Sequence, residues 1–342
     1  MKRRQWLRAT LGLGALAAFP DLSPAVTSLH WGQRSMLGFG TTLSLKAGHG
    51  NAATLARALN AGVQALQRIE SQMSLFRPDS ALSRLNRDGM LRSPPAELVE
   101  ILDIAHNVSR DSEGAFDVTV QPLWLAFDAA RRAGRLPSPQ EVQAARARVD
   151  WRAVDVGSRL IRFDTPSMAV TLNGIAQGYA ADRVRAVLAA HGIRHALVDA
   201  GEFAPLGRNS QAHPWSLGIA DPHDESALIA RLLADGRCIA TSADNLATFS
   251  ADHRHHHIFD PHTGYSPPTL SAVTVAADSG AVADALTKVF FVVGPTRARA
   301  LAHQWKVDAL WVDKKGRWEA TAGLRLDRVA PGGTASRQLP KV

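Results

Sequence analysis

Between residues 54 and 73 the apolar side chains Leu55, Leu59, Val63, Leu66, Ile69 and Met73 recur at spacings of three and four. That period places them on one stripe of an amphipathic helix. A buried stripe of this length needs a second layer to cover it, so the chain is committed to a packed domain of helices against another element type. Strand-like segments supply that layer. Residues 37–45 read as a glycine-hinged entry into a first strand, and residues 169–172, 195–198, 215–219, 238–241, 271–277 and 309–312 read as further strands. Helices are expected over 96–110, 180–191, 282–293 and 295–305, with a short one capped by Ser80 that runs toward Asn86. An Arg- and Ala-rich stretch over 128–150 reads as a helical excursion at the surface. No repeat is visible and no linker is long enough to mark a boundary, so one mixed α+β domain is expected.

The single cysteine among 342 residues, Cys238, excludes an internal disulfide and a cysteine-based zinc site. Oxygen and imidazole ligands remain as metal options. The first 25 residues read as a processing signal: Lys2-Arg3-Arg4-Gln5-Trp6-Leu7-Arg8 is a twin-arginine pattern, followed by an apolar run over 9–19 too short to span a bilayer. Export to a bacterial periplasm is therefore expected, with residues 26–330 as the working domain and 331–342 as a polar tail. With no lipobox cysteine, the expected product is soluble, without a stable membrane span. The formal charge of +8 owes four of its 39 basic residues to the signal. The excess that remains is mild and mostly arginine, which suits anionic small molecules, and no nucleic-acid recognition signature is present.

The stretch that no helix or sheet requires is His255-His256-His257-Ile258-Phe259-Asp260-Pro261-His262-Thr263-Gly264. Imidazoles that exchange a proton near neutrality, beside a carboxylate and turn-forming Pro and Gly, have the composition of an active-site loop. A second irregular segment, Gly114-Ala115-Phe116-Asp117-Val118-Thr119, is broken by a glycine and an acid. A third, Asn173-Gly174-Ile175-Ala176-Gln177-Gly178-Tyr179, lies between a strand and a helix. Glycines exposing N–H groups before a helix N-terminus suit an anion. The spacing matches neither a Walker loop nor the dinucleotide-binding glycine fingerprint.

Taken in order, Ser-x-Phe-Arg-Pro-Asp-Ser at 74–80, Gly-Ala-Phe-Asp-Val-Thr at 114–119, Asn-Gly-Ile-Ala-Gln-Gly-Tyr at 173–179, Thr-Ser at 241–242, His-His-Ile-Phe-Asp-Pro-His-Thr-Gly at 256–264 and Ala-Asp-Ala-Leu at 283–286 resemble the ApbE family, the FAD:protein FMN transferases. The resemblance spans residues 37–312. It implies a single mixed α/β domain of the ApbE-like type, in the α+β class. It also implies an enzyme that splits FAD, releases AMP and attaches FMN through a phosphoester to a Thr or Ser hydroxyl of an exported acceptor protein, with Mg2+ as a metal cofactor. The alternatives are an FAD pyrophosphatase and a non-catalytic periplasmic FAD-binding protein.

By the same resemblance His257 is the catalytic histidine that orients or deprotonates the hydroxyl, whereas His255 and His256 are expected to be structural or peripheral. Ala115, Phe116 and Asp117 match positions at the flavin and ribityl region, Phe39 and Phe76 positions beside the isoalloxazine, and Asn173 a polar FAD contact. Ala176, through its carbonyl, and Asp284 and Thr287 match the metal site. One departure stands out: Lys288 occupies a place where the family carries a threonine near the metal, and Gln177 stands where many relatives carry lysine or glutamate. A lysine there repels a cation. The expectation is that the Lys288 ammonium contacts the FAD pyrophosphate and supplies part of the metal's charge. Asp199-Ala200-Gly201-Glu202 also replaces a more usual Gly-Gly-Asp turn.

Overall fold

The computed structural model describes residues 28–328; the signal expected over 1–25 and the tail over 331–342 lie outside them. Its first feature is a hairpin, not one hinged strand. β1 (His30–Gly38) and β2 (Thr41–His49) pair antiparallel with Gly38 opposite Thr41. Phe39 (φ 51°) and Gly40 (φ 78°) form the two-residue loop between them. Positive φ at both loop residues matches the right-handed strand twist. A phenylalanine is rarely held there, and the Phe39 N–H donates to Glu70 Oε1 at 3.2 Å.

The amphipathic segment forms α1 (Ala52–Met73), with Asn51 accepting from the Thr54 N–H as its cap. Ser80 caps α2 (Ala81–Asp88) as its position before the helix foretells. β3 (Met90–Arg92) and α3 (Ala96–Asp111) follow, then a 3-10 turn over Val118–Val120, α4 (Gln121–Arg132) and α5 (Pro139–Arg146). β4 (Val154–Val156) and β5 (Leu160–Phe163) join β3 in a three-stranded sheet of order β3-β5-β4. Residues 169–172 are not a strand. Their polar backbone is satisfied by a side chain and a loop instead: Asn86 accepts the Val170 N–H at 2.7 Å and donates to the Val170 carbonyl at 2.8 Å, and the Thr171 N–H reaches the Val118 carbonyl at 2.8 Å.

α6 (Ala176–Ala190) begins one turn earlier than its apolar pattern suggests, because Gly178 is tolerated inside it. β6 (His195–Asp199), β7 (Phe203–Leu206), β8 (Ser216–Asp221), β9 (Asp224–Leu233), β10 (Cys238–Ala243) and β11 (Leu270–Ala277) lead to α7 (Gly280–Trp305). Gly294 (φ 73°) and Pro295 break α7 into the two limbs expected from sequence. β12 (Asp308–Asp313), β13 (Trp318–Ala320) and β14 (Leu326–Arg328) complete the described chain.

The main sheet has eight strands in the order β1-β2-β6-β7-β10-β11-β12-β13, all neighbours antiparallel. Helices α1, α6 and α7 cover one face, where Leu43, Leu45, Leu59, Leu66 and Val184 share a core. The β14-β9-β8 sheet covers the other, with Leu217, Ile219 and Leu232 against Ile239, Ala272, Leu310 and Val312. Covered on both sides, β11 is buried along its whole length. This is the mixed α/β architecture expected. Among the described residues no helix is long and apolar enough to cross a membrane.

Candidate active site

Four stretches of chain that the sequence singled out converge on a cleft whose empty space, open mouth included, is about 930 Å³. Ala115, Phe116 and Asp117 come from the loop before the 3-10 turn, Asn173 and Gly174 from the entrance to α6, His257 from the histidine loop and Lys288 from α7. Six residues singled out from sequence thus meet there. Ala176, Asp284 and Thr287 are buried beneath the cleft and do not line it. Phe39 and Phe76 do not line it either: Phe39 is the strained hairpin residue, and Phe76 is 73% exposed. Glu202, Thr241, Ser242, Gln177 and Trp124 are among the other residues of the wall. Glu202 carried no periodic signal, since it arrives from the turn between β6 and β7.

The histidine loop is built by its own polar groups. Asp260 accepts from the His262 N–H at 2.9 Å and from the Thr263 hydroxyl at 3.1 Å, and its carbonyl receives the Gly264 N–H at 2.8 Å. Gly264 has φ 78°, and a Cβ there would lie 2.9 Å from Val142 on α5. Phe259 packs on Phe127 of α4, ring centroids 5.1 Å apart, which ties the loop to the two arginine-rich helices. His256 is fully buried, its N–H donating to Ser266 Oγ at 2.8 Å. Burial pushes its imidazole down to about 3, so it is a neutral structural histidine.

His257 differs from its neighbour. Its Nδ1 lies 3.3 Å from the Ala247 carbonyl. With Nδ1–H as donor to that carbonyl, Nε2 keeps its lone pair. Burial, and next the Lys288 ammonium, lower its pKa to about 4, whereas the Ala247 carbonyl and Asp244 pull it upward. The ring is therefore a neutral proton acceptor at pH 7.

Asp117 lines the cleft, yet both its oxygens are committed to the protein. Oδ1 accepts from the Thr119 N–H (2.7 Å) and hydroxyl (2.6 Å), and Oδ2 from the Trp151 N–H (3.0 Å). Burial raises it to about 6 against these bonds. It fixes the shape of the loop that carries Ala115 and Phe116.

An apolar helix could not hold Asp284 without a charge partner, and α7 provides one. Lys288, four residues on, pairs through Nζ with Asp284 Oδ1 and also donates to the Asp284 carbonyl at 3.2 Å. Asp284 Oδ2 accepts the Gly178 N–H at 3.2 Å, which ties α7 to α6. Burial, with the Asp284 carboxylate alongside, pushes Glu202 well above its ordinary value, and Lys288 acts in the opposite sense. Glu202 accepts the Thr241 N–H at 2.9 Å. One cation and two buried acids, one of them drawn toward its neutral form, thus form the floor.

The sequence model of the ApbE family matches residues 39–311. Among curated relatives, an FAD:protein FMN transferase of Klebsiella pneumoniae is 31% identical over 276 residues, covering 76% of this chain and 78% of that protein. One of Treponema pallidum is 32% identical over 292 residues, covering 77% and 79%. Among solved structures, the flavin transferase ApbE from Vibrio cholerae superposes with a TM-score of 0.73 at 26% identity, over 86% of this chain and 97% of that one. The ApbE protein from Thermotoga maritima gives 0.76 at 25% identity, over 86% and 97%.

Proposed function

The chain belongs to the ApbE family, and from that membership we infer that it is an FAD:protein FMN transferase whose reaction takes place in the cleft between α6, α7 and the histidine loop. The observation that carries the reading is the meeting of a neutral imidazole, the amide-rich start of α6 and the Lys288 ammonium in one cleft. The acceptor's Thr or Ser hydroxyl oxygen attacks the phosphorus of the FMN half. His257 Nε2 takes the hydroxyl proton as the new oxygen–phosphorus bond forms. The pyrophosphate bond breaks, and AMP leaves with the bond's electron pair. No electron is gained or lost by the flavin. The first turn of α6 has its Ala176 N–H on the Leu172 carbonyl and its Gly178 N–H on Asp284, so the helix offers the phosphates the field of its positive end and not these two donors. Phe116 supplies apolar area to the bound dinucleotide.

Incubating the purified protein with FAD and a Thr-bearing acceptor protein tests the reading. AMP is expected in step with covalent, flavin-fluorescent acceptor. AMP release without acceptor would point to an FAD pyrophosphatase, and stable FAD under every condition to a binding protein. The acceptor and the enzyme are proposed to meet in the periplasm after export through the twin-arginine signal. Fractionation of cells expressing the full chain checks this, and retention in the cytoplasm would refute it.

The family resemblance implies Mg2+ at Ala176, Asp284 and Thr287, but the side chains present do not suit a dication. Asp284 Oδ1 is held by Lys288 and Oδ2 by the Gly178 N–H. The Thr287 hydroxyl donates to the Asp284 carbonyl at 2.6 Å and shares a bond of 2.7 Å with Ser242. An ammonium about 4 Å from a dication is repelled by roughly 8 kcal/mol at an effective dielectric of 20, twice the value for unit charges.

A further inference from the structure

We propose that Lys288 is a built-in cation for the FAD pyrophosphate, which makes FAD binding and FMN transfer by this protein independent of divalent metal. The inference rests on the transferase reading and concerns how that site handles charge.

Three observations carry it. First, Lys288 is held in place. Its Nζ is anchored on Asp284 Oδ1 and on the Asp284 carbonyl one turn earlier, and Asp284 is itself fixed by the Gly178 N–H. An ammonium has three donors, so two are used by the anchor and the third remains for a ligand in the cleft that Lys288 lines. Second, the backbone makes room for it. A Cβ on Gly174 would lie 3.3 Å from Lys288 Cε and 3.6 Å from its Cδ, so the lysine stem passes directly over the glycine loop at the start of α6. The stem therefore runs from α7 toward the segment best suited to hold phosphate. Third, the carboxylate beneath is already satisfied without a metal: Asp284 is paired with Lys288 through Oδ1 and accepts the Gly178 N–H through Oδ2.

In the reaction Lys288 is not consumed. It stabilises negative charge on the non-bridging phosphate oxygens while the hydroxyl proton passes to His257 and AMP departs. Fixed charge placed where charge develops is a large contribution to such steps. The difference from a metal is that this cation cannot be removed by a chelator.

The test uses the purified protein, dialysed against EDTA. FAD binding is measured by flavin fluorescence, and turnover by AMP release with acceptor, each in EDTA and in millimolar Mg2+. Wild type is expected to bind FAD and to turn over within about twofold in the two buffers. Lys288→Thr is expected to lose about 100-fold or more in EDTA, as for loss of a charge-stabilising donor, and to regain much of it in Mg2+. Lys288→Arg keeps the charge and is expected to remain chelator-resistant. It also serves if Lys288→Thr is unstable with Asp284 left unpaired. Loss of wild-type FAD binding in EDTA, or a Lys288→Thr protein as active in EDTA as wild type, overturns the proposal. If FAD binds in EDTA but no AMP appears with any acceptor in either buffer, the transferase reading fails while the cation assignment stands.

Discussion

Replacing His257 with asparagine is expected to slow FMN transfer by about 10²–10⁴-fold, the usual range for a positioned general base, while FAD affinity changes little. That range corresponds to about 3–5 kcal/mol of barrier. Asparagine can still donate to the Ala247 carbonyl, the bond that His257 Nδ1 makes at 3.3 Å, so the loop is preserved and the acceptor lone pair is removed. Single-turnover AMP release, beside FAD binding and a melting curve, separates the two effects. A variant within a few-fold of wild type would show that His257 does not carry the proton. The pH profile gives an independent check. Because the pKa is lowered, the base form is complete at pH 7 and is lost only as pH falls through about 4. The acid limb of kcat/KM is therefore expected near 4, not near the unperturbed 6.5. Phosphate charge in the bound complex opposes the Lys288 effect, so the limb of kcat is expected at higher pH. Lys288 on α7 and Asp244 beyond β10 are the charged groups that act on the ring.

Gly178→Ala is the variant expected to cost the most stability. Helix propensity alone favours the change by about 1 kcal/mol. Sterics oppose it more strongly: a Cβ at 178 would lie 2.0 Å from the Gly280 carbonyl oxygen, 2.4 Å from its carbon and 2.8 Å from Asp284 Cβ. Two of these three atoms are backbone and cannot rotate away, so α6 and α7 must separate. The expected loss is at or above the upper end of the usual overpacking cost of about 1–3 kcal/mol. At roughly 2–4 °C per kcal/mol this lowers the melting temperature by about 5–10 °C. The Gly178 N–H bond to Asp284 Oδ2 is lost with it, and the Lys288 anchor loosens. Gly62→Ala on α1 is the control, since the nearest atom to its Cβ, at 2.8 Å, is the flexible tip of Leu45. Urea or thermal unfolding decides the matter. A Gly178→Ala protein as stable as wild type would mean that the helices are free to move apart.

Legibility followed the range of the interactions. α1, the Ser80 cap and the kink at Gly294-Pro295 are local, and spacing or a single residue type announced each. The hairpin around Phe39 and Gly40 was hidden because a phenylalanine at positive φ depends on Glu70, 31 residues away. Residues 169–172 have the composition of a strand, and Asn86 overrides it by binding the Val170 N–H and carbonyl. β9 is rich in Ala and Leu, which favour helix, and becomes a strand between β8 and β14. The Asp284–Lys288 pair was open to reading from its i, i+4 spacing in a helix. Glu202 was not, because its place beside them follows from the order of strands.

By itself the sequence determined the residue types available for chemistry, their chain order and the local conformations around them, because caps, turns and helical periods act over a few residues. It brought His257, Asn173, Lys288 and the 115–117 segment forward as candidates. Only the tertiary structure decided that these meet in one cleft while Phe39 and Phe76 stay outside it. It also decided that the Gly178 N–H of α6 shares the Asp284 carboxylate with Lys288. The reason is that a buried charge is governed by whatever groups packing brings within a few ångströms of it, and the Gly178 donor lies 106 residues from Asp284 in the chain.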